Sequence, residues 1–565
     1  MSISSQARSG RTLLAAVVLL LGAHWLFFAA YVRREIAWAY APHFDQTSGL
    51  FIAYRTWEDV GPRGLLPALA TTLRKSPPNG ATVHVEAVLL FLLTGPSRLA
   101  ALAVNWLHFA VLLAAIAWAL WATTRRWELA ALGLGLLLSV RSPFYWAGGI
   151  ADFRPDFIAF CLYGTFLALV WRSDVFRLRA WAVAAGAVAA LCAVSRSVTA
   201  VYLGVLLGAW LALLSIRWLR ERDPARGQDL RRQLTGAALC AACVGLVVVP
   251  ALAVRARSLW AYYFLGPVAS QARAVWSAYT GPTFGERTLF YPRSALFDHA
   301  GTLFLALAAG AVAALEVGRW WGRSGTGHGT MEQSGRGRGL FMAAALLLPL
   351  GILTAYTSRS PVVGGLLVMP LLWLILVRCS RLAERAPRRL TQVLALSVLT
   401  IGAAGHAVRL SGPAWHTVPV DAIQEALRLH DDIARWSVAQ GWPRPVLLHD
   451  RQRDYVPAIR VSAYERHGRL LALERPIGDM VLRASSEDVL QTLRRSDFVI
   501  LTGPQPGSPG GLPYDASLAE MYPRLLAYCQ SNLVRVGSYR VPEEVMLFAR
   551  APGAVSDEPA SPPSR

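Results

Sequence analysis

Acids and cations gather in five short stretches of this 565-residue chain. Asp45 stands in PHFDQTSGLFIAYRTWED, and Asp152, Arg154 and Asp156 stand in GGIADFRPDF. His84 and Glu86 lie in NGATVHVEAV, Arg196 in VSRSVTA and Arg359 in YTSRSPVVGG. A positioned carboxylate can take a proton from a hydroxyl, an effect typically worth ~10²–10⁴-fold in rate. Arg beside Ser suits a phosphate oxyanion, to which the guanidinium offers a planar fork of donors. His and Glu two positions apart suit a divalent metal or an acceptor hydroxyl. Each group also has a plain structural alternative. Asp45 can cap a helix, Asp152, Arg154 and Asp156 can form a local ion-pair cluster, and single Arg residues can anchor span ends.

The elements that must carry these residues are membrane spans. Mean hydropathy is +0.39 and 54% of residues are hydrophobic, too high for a soluble protein of this length. A span needs about 20 apolar residues at 1.5 Å rise to cross about 30 Å. Apolar runs at 12–32, 98–122, 127–141, 156–172, 180–195, 198–216, 234–254, 300–318, 339–356, 362–378 and 390–408 give about eleven spans. The first run is long for a signal peptide and no cleavage site follows, so it reads as an uncleaved span.

Arginine orients them. The net charge is +21. All basic residues but Lys75 are Arg, which reads as a compositional bias and not as a nucleic-acid surface. With the N-terminus cytoplasmic, Arg125, Arg126, Arg172, Arg177, Arg179, Arg217 to Arg232, Arg319 to Arg338 and Arg378 to Arg389 all fall on inner loops, as the positive-inside rule requires. The short outer loops carry Arg141, Arg154, Arg196 and Arg359. All five stretches singled out above therefore fall on the outer side. Two longer outer loops cover 33–96 and 255–299. In the first, Leu50, Tyr54 and Trp57 share one helical face, which predicts an amphipathic helix lying in the membrane interface, with Asp45 at its N-terminal side. The Gly-rich GRSGTGHGTMEQSGRGRG reads as an inner linker, and the CxxC of Cys240 and Cys243 as span packing.

The composition changes near residue 410. Helical periodicity in DAIQEALRLHDDIARWSVAQG stops at Gly441, and RPVLLHD reads as a short strand. SSEDVLQTLRRSDFVILTG reads as a capped helix and a buried strand, DASLAEMYPRLLAYCQSN as a helix, and LVRVGSYRV with EEVMLFAR as a closing strand pair. The expected organisation is a membrane domain over 1–410, an extracytoplasmic α/β domain over 411–551 and a disordered tail over 552–565.

Over residues 10–410 this layout resembles the GT-C class of membrane glycosyltransferases, which includes protein O-mannosyltransferases, lipid A aminoarabinose transferases and sugar transferases of the bacterial lipopolysaccharide core. Asp45 in HFDQTSGLFIAY matches the acid of the class's first outer loop, and RPD at Arg154 to Asp156, preceded by Asp152, matches its second acidic motif. His84 matches the His at the re-entry of the first loop. VHVEA lacks the two prolines usual there, and Asp45-Gln46 replaces the usual Asp-Glu.

The resemblance implies transfer of a sugar from a polyprenyl-phosphate donor to an acceptor hydroxyl on the outer face, with inversion. Asp45 would be the general base, assisted by Asp152 and Asp156. Arg196 and Arg359 would bind the departing phosphate, with Arg154, His84 and Glu86 lining the substrate site. A divalent metal on His84 and Glu86 is compatible with the class without being required by it. The implied partners are the lipid-linked donor, membrane lipid and an acceptor glycan, lipid or protein, with the protein in the inner (plasma) membrane. Two other readings stay open: a transporter or flippase of a polyprenyl-linked sugar, and a non-catalytic scaffold. The first predicts mid-span charges and internal repeats, and the sequence shows few of the former and none of the latter. The second does not require acids clustered at span mouths.

Overall fold

A computed structural model describes residues 3–551 apart from 37–43, 76–79, 81, 146, 262, 264–282, 322–330, 357–358, 413–419, 440–444, 448–455, 472, 474–485, 504–512 and 542. At the edges of these gaps, Asp45 included, only the backbone is described. Most of the aromatic stretch in the second outer loop, part of the Gly-rich linker and the C-terminal tail lie outside the described residues.

The chain is a polytopic helical membrane protein with a small α/β domain at its C-terminal end. Helices α1 (Ile3–Tyr31), α5 (Arg98–Thr124), α6 (Trp127–Ser139), α7 (Pro155–Arg172), α8 (Arg179–Ser195), α9 (Ser197–Arg220) and α10 (Pro224–Trp260) carry the first seven apolar runs. Helices α12 (Gly301–Trp321), α13 (Met331–Ala355), α14 (Val368–Ala383) and α15 (Arg388–Ser411) carry the rest. Among the described residues, 9 helices are long and apolar enough to cross a membrane. α6 and α8 are shorter. α13 begins at Met331, inside the stretch read as a linker.

These helices form the first of two compact units, Met1–Tyr31, Ala70–Ala87 and Leu102–Pro413. Without a hydrophobic drive between apolar helices in lipid, close backbone approach does the packing. On α6 and α15, a Cβ added at Gly135 would lie 2.6 Å from the Leu399 Cα, and Gly402 presses on the backbone of Gly135. Any side chain at either glycine would drive the two helices apart.

The second unit comprises Val32–Leu69, Val88–Ala101 and Ala414–Arg565. Its four-stranded sheet has the order β1-β2-β4-β3, with β1 (Pro445–Leu447), β2 (Phe498–Thr502), β3 (Val534–Val541) and β4 (Glu543–Ala549). β1 and β2 are parallel, and the other two pairings are antiparallel. β2 reads FVILT and is buried throughout because both faces are covered, which replaces alternation with a continuous apolar run. Phe498 and Ile500 pack with Leu429 and Ile433 of α16 (Val420–Ala439) and Ile459 of α17 (Val456–His467). Val499 and Leu501 pack with Val489 of α18 (Ser486–Arg494) and Leu525 of α19 (Pro513–Asn532). The three helices and four strands read from sequence all occur. α17 had no clear period and was not anticipated.

The first outer loop is largely helical: α2 (Phe44–Arg63), α3 (Leu65–Lys75) and α4 (Thr82–Thr94). α2 covers the expected amphipathic segment, and Asp45 falls in its first turn. Its apolar stripe does not face lipid. Tyr54 is fully buried, stacked between Phe91 (5.7 Å) and Tyr464 (4.4 Å), and Trp57 meets the edge of Phe91. The physical reason is that α17 and α4 supply an apolar cover that a sequence period cannot tell from a bilayer.

Candidate functional site

Within the helical unit, several loops converge at one end of the bundle. The α6–α7 connection is fixed from below by Asn105 of α5, whose Nδ2 donates to the carbonyls of Ile150 (3.0 Å) and Asp152 (2.8 Å). That connection packs on the turn before α14. A Cβ at Gly148 would sit 2.7 Å from Val362 and 3.0 Å from the Asp156 Cβ, so only glycine, at φ +81°, fits there. His299, at the start of α12, ties the same loops together. Its Nε2–H donates to the Pro361 carbonyl at 2.7 Å, and the Ser142 hydroxyl donates to its Nδ1 at 3.1 Å. The α8–α9 break closes on the start of α4, where Thr82 donates to the Ser195 hydroxyl at 2.7 Å.

The acids sit inside this convergence. Asp152 and Asp156 are 2% and 7% exposed. Pro155 starts α7 and Asp156 follows in its first turn, where the helix N-terminus favours a carboxylate. Asp156 Oδ1 meets Arg196 Nε at 3.1 Å. Asp152 Oδ2 accepts from the Gly148 amide at 2.6 Å and lies 3.6 Å from Arg154 Nε. Its other oxygen is buried with no hydrogen-bond partner among the described residues. Burial, reinforced by the charge of Asp156, pushes the Asp152 carboxyl well above the ordinary carboxylate range, against the pull of the Gly148 amide.

Further donors stand on the neighbouring elements. The hydroxyl of Tyr202, one and a half turns into α9, is buried without a hydrogen-bond partner among the described residues, within electrostatic reach of Asp156 and Arg196. Arg359 is buried, with Nη2 donating to the Thr354 carbonyl at 3.0 Å and Nε unpartnered among the described residues. The amide of the adjacent Ser360 donates to Tyr291 on α11 (Phe284–Arg293) at 3.2 Å.

The structure thus gathers Asp152, Arg154, Asp156, Arg196 and, on the adjoining turn, Arg359. His84 belongs with them, its ring edge-on to Phe153 at 6.1 Å. Glu86 does not share that face. Two residues along a helix is a rotation of about 200°, and Glu86 instead pairs with His108 of α5 at 2.7 Å. His84 and Glu86 therefore do not form a joint metal site, and among the described residues no three His, Cys, Asp or Glu gather as metal ligands. The Asp45 side chain lies outside the described residues. Asn105, Tyr202, Tyr291 and His299 were not singled out from the sequence. The available signal was a lone hydrogen-bonding group in or beside an apolar run.

No protein-family model matches the chain and no curated protein matches it. Solved structures do. ArnT from Cupriavidus metallidurans in the apo state aligns with TM-score 0.57 at 12% identity, covering 95% of this chain and 98% of that one. ArnT bound to undecaprenyl phosphate aligns at 0.58 with the same identity and coverage. The archaeal oligosaccharyltransferase AglB from Archaeoglobus fulgidus, in complex with an inhibitory peptide and a dolichol-phosphate, aligns at 0.44 over 86% of this chain and 69% of that one. Over nearly its whole length the chain therefore resembles in fold ArnT, a lipid A aminoarabinose transferase of the GT-C class.

Proposed function

We propose that the protein is an integral-membrane glycosyltransferase. It moves a sugar from a polyprenyl-phosphate donor to an acceptor hydroxyl at the outer face of the inner (plasma) membrane. The observation that carries this reading is the buried Asp152 and Asp156, with Arg196 paired to Asp156, at one loop end of an ArnT-like bundle. That ArnT has itself been captured with undecaprenyl phosphate supports a lipid-phosphate donor.

In this reading the Asp45 carboxylate takes the proton of the acceptor hydroxyl. The oxygen forms a bond to the anomeric carbon as the bond to the phosphate oxygen breaks, and the configuration inverts. The leaving electron pair stays on the polyprenyl phosphate, where Arg196 and Arg359 offset the developing charge. Asp152, holding its proton more tightly than an ordinary carboxylic acid, is suited to donate a hydrogen bond to a substrate oxygen, while Asp156 aligns Arg196. Arg154, beside Asp152, and His84, beside Phe153, stand next to them. His84 and Glu86 diverge, so the pair is not assigned a shared metal. The acceptor is a glycan, lipid or protein hydroxyl. Arg126, Arg177, Arg319, Arg338 and Arg378 at the opposite loop end support a cytoplasmic N-terminus and an extracytoplasmic α/β domain.

The test is a transfer assay in nanodiscs with undecaprenyl-phosphate pentoses and hexoses, comparing wild type with Asp45→Asn. Release of undecaprenyl phosphate by wild type alone is the expected result. Equal release by a folded Asp45→Asn protein would remove Asp45 as the base. Movement of the donor across the bilayer without release would favour a flippase.

A further inference from the structure

One buried ion pair in the second unit is not used by the chemistry above. Arg98 opens α5, where a cation opposes the positive end of the helix dipole. Its side chain is 3% exposed. Such a placement is unfavourable unless something else holds the charge. Glu465 of α17 does so with a two-point clamp, Arg98 Nε to Oε1 at 2.9 Å and Nη2 to Oε2 at 2.5 Å. The Tyr54 hydroxyl of α2 adds a third donor to Oε1 at 3.0 Å. The remaining arm of Arg98, Nη1, donates to the Ile36 carbonyl.

The Ile36 carbonyl, held by Arg98 itself, and the Tyr54 hydroxyl, held through Glu465, bracket the first turn of α2. Ile36 and Tyr54 stand nine residues before and nine residues after Asp45. Around the clamp the packing is specific. Tyr54 is stacked between Phe91 and Tyr464, the Arg460 guanidinium covers the Phe51 ring at 4.7 Å, and Glu58 accepts from the Leu470 amide at 2.9 Å. Three contacts thus run from α2 to the segment 460–470, and all lie within the second unit. A bidentate pair with a buried Arg, a half-buried Glu and a shared tyrosine is geometrically exacting, so it fixes the rotation and height of a helix better than apolar contact alone.

We propose that Arg98 and Glu465 are positioning residues for transfer: the C-terminal domain acts, through this clamp and Tyr54, to set the helix whose first turn carries Asp45. This rests on the reading of Asp45 as the base. It assigns the α/β domain a part in the reaction that its own surface does not reveal.

The test uses full-length protein in nanodiscs and two readouts. The first is hydrogen exchange, which needs no donor. Glu465→Gln leaves Arg98 without its counter-charge, and amides over 44–54 should exchange faster while those of β2 and β4 keep their protection. Unchanged exchange over 44–54 would overturn the proposal. The second is turnover on whichever undecaprenyl-phosphate sugar the wild type uses. Because a displacement of about 1 Å can cost ~10²-fold, kcat should fall by roughly that factor with donor KM unchanged. Tyr54→Phe keeps the ion pair and removes one donor, so it should show a smaller fall in kcat even where Glu465→Gln fails to fold. Glu465→Gln should add nothing to Asp45→Asn, since a positioning residue acts only through the group it positions. Additive losses, or a normal kcat in folded Glu465→Gln and Tyr54→Phe, would reject the role with Asp45 still the base. An active Asp45→Asn would instead sink the assignment of the base, and this role with it.

Discussion

The two loop ends of the helical unit treat charge in opposite ways. At the Arg-rich end, three acids each face two guanidinium groups. Glu128 meets Arg126 at 2.9 Å and Arg388 at 3.4 Å, Asp174 meets Arg177 at 2.8 Å and Arg338 at 3.0 Å, and Glu316 meets Arg319 and Arg378. Arg338 also lies over the Trp171 ring at 4.7 Å. At the other end, Asp152 and Asp156 are buried close together, and burial with the Asp156 charge lifts the Asp152 carboxyl well above the ordinary carboxylate range. In the proposed reading the first end anchors the bundle and the second receives a ligand.

The contrast can be broken most sharply by paired substitutions. Asp156→Asn should lower transfer by at least ~10²-fold, because Arg196 loses its alignment at the phosphate. Glu128→Gln should do the reverse. It leaves Arg126 and Arg388 uncompensated, which costs up to about 3–5 kcal/mol of stability where such a pair is fully buried, while turnover per folded molecule stays near wild type. Thermal unfolding and kcat measured on the same samples decide it. If both variants lose stability and keep turnover, the two ends are alike.

Next in size are Arg196→Lys and Arg359→Lys. Lysine keeps the charge and loses the planar fork, so KM for the lipid-phosphate donor should rise about tenfold. An unchanged KM in both would move the phosphate elsewhere.

The pH dependence of stability sharpens the comparison further. The Asp152 carboxyl is raised in the folded state, so folded protein binds more protons than unfolded once pH exceeds the ordinary carboxylate range. The stability it contributes is fully present at lower pH and is lost as pH rises towards its raised value. Tm should therefore fall more steeply with rising pH in wild type than in Asp152→Asn. Parallel curves would mean that Asp152 titrates normally.

The smallest effect is expected at Glu86. Its partner His108 and Glu86 itself are partly exposed, with side chains 14% and 25% accessible. Glu86→Gln should change stability by no more than about 1 kcal/mol and leave kcat untouched, whereas His84→Ala, at the Phe153 ring, should reduce transfer. Equal losses would return Glu86 to the site.

Much of this was legible in the chain. Apolar runs of span length are local, and every one of them lies on a helix. Arg clustering separated the two loop ends before any contact was known. GGIADFRPDF placed two acids and an Arg at a span mouth, and the strand FVILT announced itself as covered on both faces. α17 was hidden because VPAIRVSAYERH carries no clear apolar stripe, and its role lies in the partners of Arg460, Tyr464 and Glu465. The four added site residues were hidden because a single Asn, Tyr or His in an apolar run looks the same whether it points at lipid, at a backbone carbonyl or at a substrate.

By itself, then, the sequence determined which segments leave water and where charge remains at their ends, since both follow from residue type and from periods of a few residues. Only the tertiary structure decided who covers whom. An apolar stripe such as Leu50–Tyr54–Trp57 is satisfied equally by a bilayer or by Phe91 and Tyr464. Glu86 at His108, Asp156 at Arg196, and Arg98 at Glu465, 367 residues away, are choices among many oppositely charged candidates. A charge specifies the sign of its partner, and only the folded path of the chain specifies which partner comes within reach.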